Sequence, residues 1–345
     1  MHATRQRSLG TGGIVLAVAI GTALVVALSS FAIGAVGGFG ATKAKSRVTT
    51  SWSASTVKVG APLKVSGRVT SKRIQVRQVG LWVSLKSGWR RVAVKSTGPR
   101  GYYTFTVPTD YYRSRPMQVR AASTRRLAMA TSLNRTITVV PTTSATGAAS
   151  AWARGTTAEQ RVNPCSTINY RVNGASTAAL AEVKSAFERA HQATGITFRY
   201  LGTTEAVPRP SSLSTTPWPS DSTLVLAWTT PDRTTFELGG DPATAILSQS
   251  AILATRAARD GQGAVQRITR AGIVLDSSAD LGATSQQLLR HILLHEIGVV
   301  LGLGPVDDNY QRMNEATYPR RGTVTWGAGD LVGLNRVGLV EGCLH

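Results

Sequence analysis

The sequence predicts a chain of several units: an N-terminal transmembrane helix, an all-β sandwich, and a third domain that mixes helices and strands in the α/β or α+β manner. Three observations predict it. Residues 8–42 contain no charged side chain. Residues 43–140 alternate apolar and polar positions in short runs separated by Gly and Pro, and beyond about residue 159 helical periodicity is interspersed with strand-like apolar runs. A chain of 345 residues with 42% hydrophobic side chains also exceeds what one core usually serves.

The first unit, 1–42, holds the run Ile14 to Ile33, long enough to cross a bilayer, since ~20 apolar residues suffice. Arg5 and Arg7 precede it; Lys43, Lys45 and Arg47 follow, which weakens the charge asymmetry that would set its orientation. A cleaved signal peptide is the rival reading, with Ala32-Ile33-Gly34 as its cut site. Signal cores are usually only ~7–15 residues long, so the length favours an uncleaved anchor. Either way the rest of the chain is exported, membrane-anchored with extracytoplasmic domains, or secreted if the segment is removed.

In the second unit, 43–140, Leu63, Val65 and Val69, then Leu81, Val83 and Leu85, then Val92 and Val94, then Tyr103, Phe105 and Val107 repeat with period two. Turns every 8 to 12 residues make this a small antiparallel sandwich. The stretches Val59-Gly60 to Val65-Ser66-Gly67, Gly88-Trp89, and Gly101 to Pro108 resemble bacterial immunoglobulin-like wall modules. Charge sets this unit apart: it holds 20 Lys or Arg against the single acid Asp110, whereas residues 151–345 hold 17 of each sign. The chain's net charge of +21 therefore resides almost wholly here.

Such a field attracts polyanions by counterion release. For an exported domain the polyanions within reach are anionic lipid and anionic cell-wall polymer, and no dedicated nucleic acid binding is expected. A soluble charged surface without a ligand is the plainer alternative. Trp82 and Trp89 are expected to pack in or at the edge of the core rather than stack on bases. Residues 141–158, rich in Thr, Ser, Ala and Gly without apolar period, read as a flexible linker that lets its neighbours move independently.

In the last unit, 159–345, Leu180, Val183, Phe187 and Ala190 repeat at helical spacing before Gly195, predicting a helix near 177–193. Thr223 to Trp228 and Ala271 to Leu275 read as strands buried on both faces. A second helix starts from a capping box, Thr284 with Gln287, carries Leu288, Ile292, His295 and Val299 on one stripe, and ends near Leu301 at Gly302, Gly304 and Pro305. Cys165 and Cys343 bracket the unit, and in an exported chain they are expected to form one disulfide, two buried free thiols being the alternative.

The second helix carries the one chemical motif. His295-Glu296-Ile297-Gly298-Val299-Val300-Leu301-Gly302-Leu303-Gly304-Pro305 matches H-E-x-x-H-x-x-G-x-x-H at the first histidine, the glutamate and the glycine. Downstream lie Gln311-Arg312-Met313-Asn314, Tyr318-Pro319 and Trp326 to Leu334; upstream lie Asn163-Pro164-Cys165, Ile168 to Asn173 and Ala193 to Tyr200. Together these resemble the metzincins, specifically the secreted bacterial matrixin-like zinc peptidases, over about 159–345. The resemblance implies a peptidase-type domain with Met313 in a methionine turn beneath the metal site and a closing helix from Gly329 to Val340.

In the intact motif two histidines four apart on one helix face grip zinc, a third histidine completes the set, and the glutamate activates the bound water. Here the second and third ligand positions are Val299 and Pro305, which have no donor atom. His295 is the surviving ligand and Glu296 a vestigial general base. His291, one turn before His295, and Asp307 and Asp308 after the helix are the available substitutes, none in register. The implied function is an exported pseudopeptidase that needs no cofactor and binds peptides, proteins or envelope components without cutting them. The alternative is an active zinc endopeptidase with a rearranged site. His191 and His345 are expected at the surface.

Overall fold

Alternating side chains create the first layers. The computed structural model describes residues 42–72, 75–156, 159–209, 217–240, 245–279, 286–315 and 324–345. Strands β1 (Ser46–Trp52), β2 (Thr56–Lys58), β3 (Lys64–Ser71), β4 (Gln78–Leu85), β5 (Gly88–Ser96), β6 (Tyr102–Thr106), β7 (Arg113–Ala121), β8 (Ala130–Thr131) and β9 (Arg135–Val140) form two sheets. One has the order β1-β3-β6; the other is β2-β9-β7-β4-β5, with β8 also on β7. Pairing is antiparallel except between β2 and β9. Val65, Tyr103 and Phe105 from one sheet meet Leu81, Val83, Met117 and Ile137 from the other in a shared core, because period-two patterning turns one face of every strand inward.

The remaining residues build a mixed sheet flanked by helices. Short strands β10 (Ala153–Arg154) and β11 (Gln160–Arg161) precede β12 (Ile168–Asn173), then α1 (Thr177–Thr194), β13 (Phe198–Thr203), β14 (Leu224–Thr229), β15 (Ser248–Arg259), β16 (Ala264–Asp276), α2 (Gln286–Val300), β17 (Leu303–Gly304) and α3 (Ala328–Val337). The sheet order is β11-β16-β14-β12-β13, with β15 antiparallel to β16. Helix α1 is delimited by its caps: the Ser176 hydroxyl accepts from Ala179 N–H, and Gly195 takes φ +71° and donates to His191 O. Its buried face brings Phe187 onto Tyr170, ring centroids 4.1 Å apart.

The fold class expected from sequence is corrected here. Among the described residues the chain is mostly β, with three α-helices of 18, 15 and 10 residues, and no described helix is long and apolar enough to cross a membrane. The described fold is thus sheet-rich and not clearly the expected α/β metzincin-like arrangement. The largest single departure is the β15–β16 hairpin, whose 12- and 13-residue strands occupy sequence in which only Ala271 to Leu275 carries an obvious strand signal. The run Ile14 to Ile33 and the Thr284 half of the expected capping box lie outside the described residues.

Thr42–His345 form one compact unit, contrary to the expected independence of its parts. Tyr112 N donates to Gln192 O at 2.7 Å, Asn335 Nδ2 donates to Tyr112 O at 3.3 Å, and Lys86 pairs with Glu341 at 2.5 Å. The segment read as a flexible linker is tied down over its described part: Ala148 N donates to Asp308 Oδ2 at 2.8 Å, Ala328 N to Thr146 O at 2.7 Å, and β10 pairs with β17. Cys165 and Cys343 are joined in the predicted disulfide, Cα atoms 5.2 Å apart. Beside it the fully buried Arg161 donates to Gly342 O at 2.9 Å and meets Asp260 at 3.1 Å, fixing the C-terminal segment.

Candidate functional site

Helix α2 presents the motif residues. Its buried side, Leu289, Ile292, Leu293 and Ile297, packs in the core, leaving His295 and Val299 half-buried. Arg290 locks the helix to α1 through a two-pronged pair with Glu182, at 2.6 and 2.7 Å. The helix ends where the motif glycine stands: Gly302 N donates to Val299 O, and Gly302 has φ +108°. A Cβ at that position would lie 2.3 Å from Gln160 O, so both conformation and space demand glycine. Met313 is 2% exposed beneath the helix, its sulfur seated against Gly298 so closely that a Cβ there would stand 2.4 Å from it.

His295 Nδ1 lies 2.8 Å from Arg312 O. With Nδ1–H donating to this carbonyl, Nε2 carries the lone pair, the tautomer that suits a metal ligand. The rest of the ligand set is missing. Val299 packs against the core and Pro305 is exposed on the following loop, and neither offers a donor atom.

Glu296 is 6% exposed, and both its oxygens accept hydrogen bonds: Oε1 from Ser248 Oγ at 2.6 Å and Oε2 from Ser250 Oγ. Ser248 and Ser250 alternate along β15, so their side chains leave the same face of the strand. The carboxylate is thereby satisfied by protein hydroxyls, as a buried acid must be.

Two of the three substitutes are also engaged. His291 is 3% exposed, and its Nδ1 accepts from Arg312 Nη1 at 2.6 Å. A guanidinium at this distance uses one lone pair and repels an incoming cation. Asp308 accepts from the backbone N–H groups of Tyr310 at 2.9 Å and Ala148 at 2.8 Å, and from Gln311 Nε2 at 2.9 Å; the first two donors lead in holding its carboxyl below the usual range. Asp307 is exposed on the same loop. Among the described residues no cluster of three or more His, Cys, Asp or Glu side chains is arranged to hold a metal. The donor set around His295 does not fit a zinc ion: its motif partners lack lone pairs, and the nearby substitute is bonded to a cation.

Arg312 is the residue that sequence reasoning missed. Its carbonyl orients His295, its Nη1 holds His291, its Nε donates to Thr325 O at 2.7 Å, and its N–H donates to Asp330 at 2.5 Å. Asp330 also accepts from Gly327 N and Met313 N, at 2.8 and 3.2 Å. Burial pushes the Asp330 carboxyl up, against these backbone donors and the Arg312 charge. Its place three residues after Gly327, at the start of α3, was a readable helix-start signal. Ser248 and Ser250 had only their period-two spacing to mark them.

Of the two histidines expected at the surface, His191 stands differently. His191 is half-buried where α1 meets the basic domain, Nδ1 2.8 Å from Ile196 O and Nε2 3.6 Å from Asp110. Asp110 holds it above its ordinary value, and it holds Asp110 below. A cavity of about 370 Å³ opens here, lined in part by Arg90, Arg91, Asp110, Cys165 and His191. His345 is exposed, its backbone paired with Arg259. Trp82 and Trp89 are half-buried on the six-stranded sheet, bridged by the Arg120 guanidinium at 4.5 and 5.0 Å from the ring centroids.

No protein-family model matches the chain, and no curated protein matches it. One solved structure, from work titled "Structural basis of T cell specificity and activation by the bacterial superantigen toxic shock syndrome toxin-1", is similar over 27% of this chain and 99% of its own, at 15% identity and a TM-score of 0.22. A likeness of that degree carries no argument about fold or function.

Proposed function

We propose that the chain is an exported, membrane-anchored relative of the matrixin-like peptidases that binds peptides or envelope components and does not hydrolyse them. The observation that carries this reading is the state of Glu296. A general base must be free to take a proton from a polarised water, and this carboxylate is held by Ser248 and Ser250. Val299 and Pro305 leave His295 without partner ligands, and Arg312 occupies His291. The basic residues of 43–140 would supply the binding to anionic lipid or wall polymer.

Metal content and hydrolysis test the proposal together. The purified chain, dialysed against dilute zinc, is expected to retain no stoichiometric metal and to leave unfolded protein substrates intact. Stoichiometric zinc lost on His295→Ala, or hydrolysis abolished by Glu296→Ala, would instead establish an active endopeptidase with a rearranged site. Zinc gained only by the Val299→His, Pro305→His double variant would support loss of a former metal site.

A further inference from the structure

We infer that the segment Ala122–Arg135 is a docking face for an anionic bilayer, with Met129 and Leu133 entering the headgroup layer and Lys43, Lys45, Arg125, Arg126 and Arg135 meeting lipid phosphates. This deepens the polyanion-binding reading of residues 43–140 and rests on it.

The first observation is apolar exposure where a folded domain normally hides it. Leu133 is 89% exposed, Met129 62% and Val76 56%, three of the seven large apolar side chains that stand exposed among the described residues. Met129 and Leu133 flank β8, which pairs with the end of β7, and Val76 stands beside Arg77 at the start of β4. Gln75 Nε2 donates to Thr124 Oγ1 at 3.1 Å, tying the loop that carries Val76 to the 122–135 segment. The buried Arg77 guanidinium clamps that segment from below, donating to the carbonyls of Ala122 and Ala128, the latter at 2.9 Å, and to Ser46 Oγ at 2.8 Å. The face is therefore built in advance of any partner, which lowers the ordering cost of docking.

The second observation is charge without countercharge. Lys43, Lys45, Arg125, Arg126 and Arg135 are all exposed around these apolar side chains. Asp110 is the domain's single acid, and it faces His191. The combination of protruding Leu and Met with surrounding Lys and Arg suits an interface with apolar depth beneath an anionic layer. A soluble anionic polymer would be bound by the cations alone and would leave the apolar side chains in water.

The third observation is that two of these cations are fixed to the same segment by hydrogen bonds. Ala44 N donates to Arg126 O at 2.9 Å, Ala128 N donates to Ala44 O at 3.0 Å, and Lys43 Nζ donates to Ser123 Oγ at 2.8 Å. Lys43 and Lys45 are thereby held beside the segment that carries Met129.

Amide hydrogen exchange of the full chain in nanodiscs tests the inference, with phosphatidylcholine discs compared with discs that also contain phosphatidylglycerol. Amides from Arg125 to Leu133 are expected to exchange more slowly in the anionic discs. Arg125→Gln and Arg126→Gln are each expected to reduce the docked population about fivefold, and Leu133→Ser with Met129→Ser to remove the slowing. Equal exchange in both discs, or slowing indifferent to these substitutions, overturns the proposal. Slowing in anionic discs on another part of 43–140, such as the strands bearing Arg91 and Arg120, defeats this docking face and keeps the polyanion-binding reading. Slowing by polyphosphate in solution without any by anionic discs also defeats it, in favour of a wall polymer. No response anywhere in 43–140 to discs or polyphosphate defeats both.

Discussion

If Glu296 is a structural acid, its energetic partners are Ser248 and Ser250, and a mutant cycle between them measures the coupling. A hydrogen bond to an ionised group contributes roughly 1.5–3 kcal/mol, and stranding a buried charge costs at least as much. At 6% exposure, with Ser248 Oγ 2.6 Å from Oε1 and Ser250 Oγ on Oε2, Glu296 has little water to replace lost donors. The Ser248→Ala, Ser250→Ala pair is therefore expected to destabilise the chain by about 2–4 kcal/mol. Glu296→Ala should cost a comparable amount, since it leaves two hydroxyls facing an apolar void. All three changes together should cost far less than the sum, because each perturbation removes what the other leaves unpaired, giving a coupling of about 1.5–3 kcal/mol.

Urea unfolding at neutral pH, followed by far-ultraviolet circular dichroism, reads all four corners of this cycle. Losses that add within about 0.5 kcal/mol would refute the structural role. So would a Glu296→Ala variant more stable than the parent, since removing a carboxylate poised for catalysis commonly raises stability at the expense of activity.

Three further outcomes follow from the geometry. Reducing the Cys165–Cys343 bond opens a 178-residue loop, so Cys165→Ala with Cys343→Ala is expected to lower stability by about 5 kcal/mol in the chain-entropy treatment; an unchanged urea midpoint would count against that account. Gly302→Ala places a Cβ against Gln160 O at φ +108° and should cost more than about 1 kcal/mol by thermal unfolding, whereas an unaltered melting temperature would mean the turn relaxes freely. For the His191–Asp110 pair, the histidine contribution is complete below the ordinary imidazole value of 6.5 and is lost as pH rises through the raised one. The aspartate contribution is complete above 3.8 and is lost as pH falls through the depressed value. The pair thus acts most fully between those two ordinary values, and Asp110→Asn should lower the His191 midpoint in an NMR titration. With Asp110 56% exposed, the stability change should stay under about 1 kcal/mol.

Residues close together in sequence announced themselves. Leu180, Val183, Phe187, Ala190 and Gly195 announce α1 because stripe and stop lie within one local stretch. The long hairpin did not announce itself. Ser248–Arg259 mixes Ala, Arg, Thr and Gln, and much of it is only half-buried; it is a strand because β16 supplies its hydrogen bonds along the whole length. The linker misled for a related reason: Thr146 and Ala148 look unstructured in composition, yet their backbone groups bond Ala328 and Asp308, about 160 to 180 residues away. Composition reports what a segment can bury, and is silent about which distant backbone needs its N–H and C=O groups.

The same distinction explains why the motif could be read while its present use could not. His295, Glu296, Gly302, Val299 and Pro305 are neighbours on one helix and its exit, so the replaced ligand positions are visible in eleven residues. What His295 and Glu296 bond depends on Ser248 and Ser250 from a strand before the helix and on Arg312 from a loop after it. Those partners make retention of His295 and Glu296 intelligible without catalysis. A buried polar group that is fully bonded rigidifies its surroundings, whereas its removal strands each partner in turn. Substituting Glu296 would leave Ser248 and Ser250 facing an apolar helix, and substituting His295 would leave the Arg312 carbonyl without its donor. Hydrogen bonding therefore holds these two side chains in place beside Val299 and Pro305, and a His-Glu pair at this spacing is by itself no sign of a working zinc site.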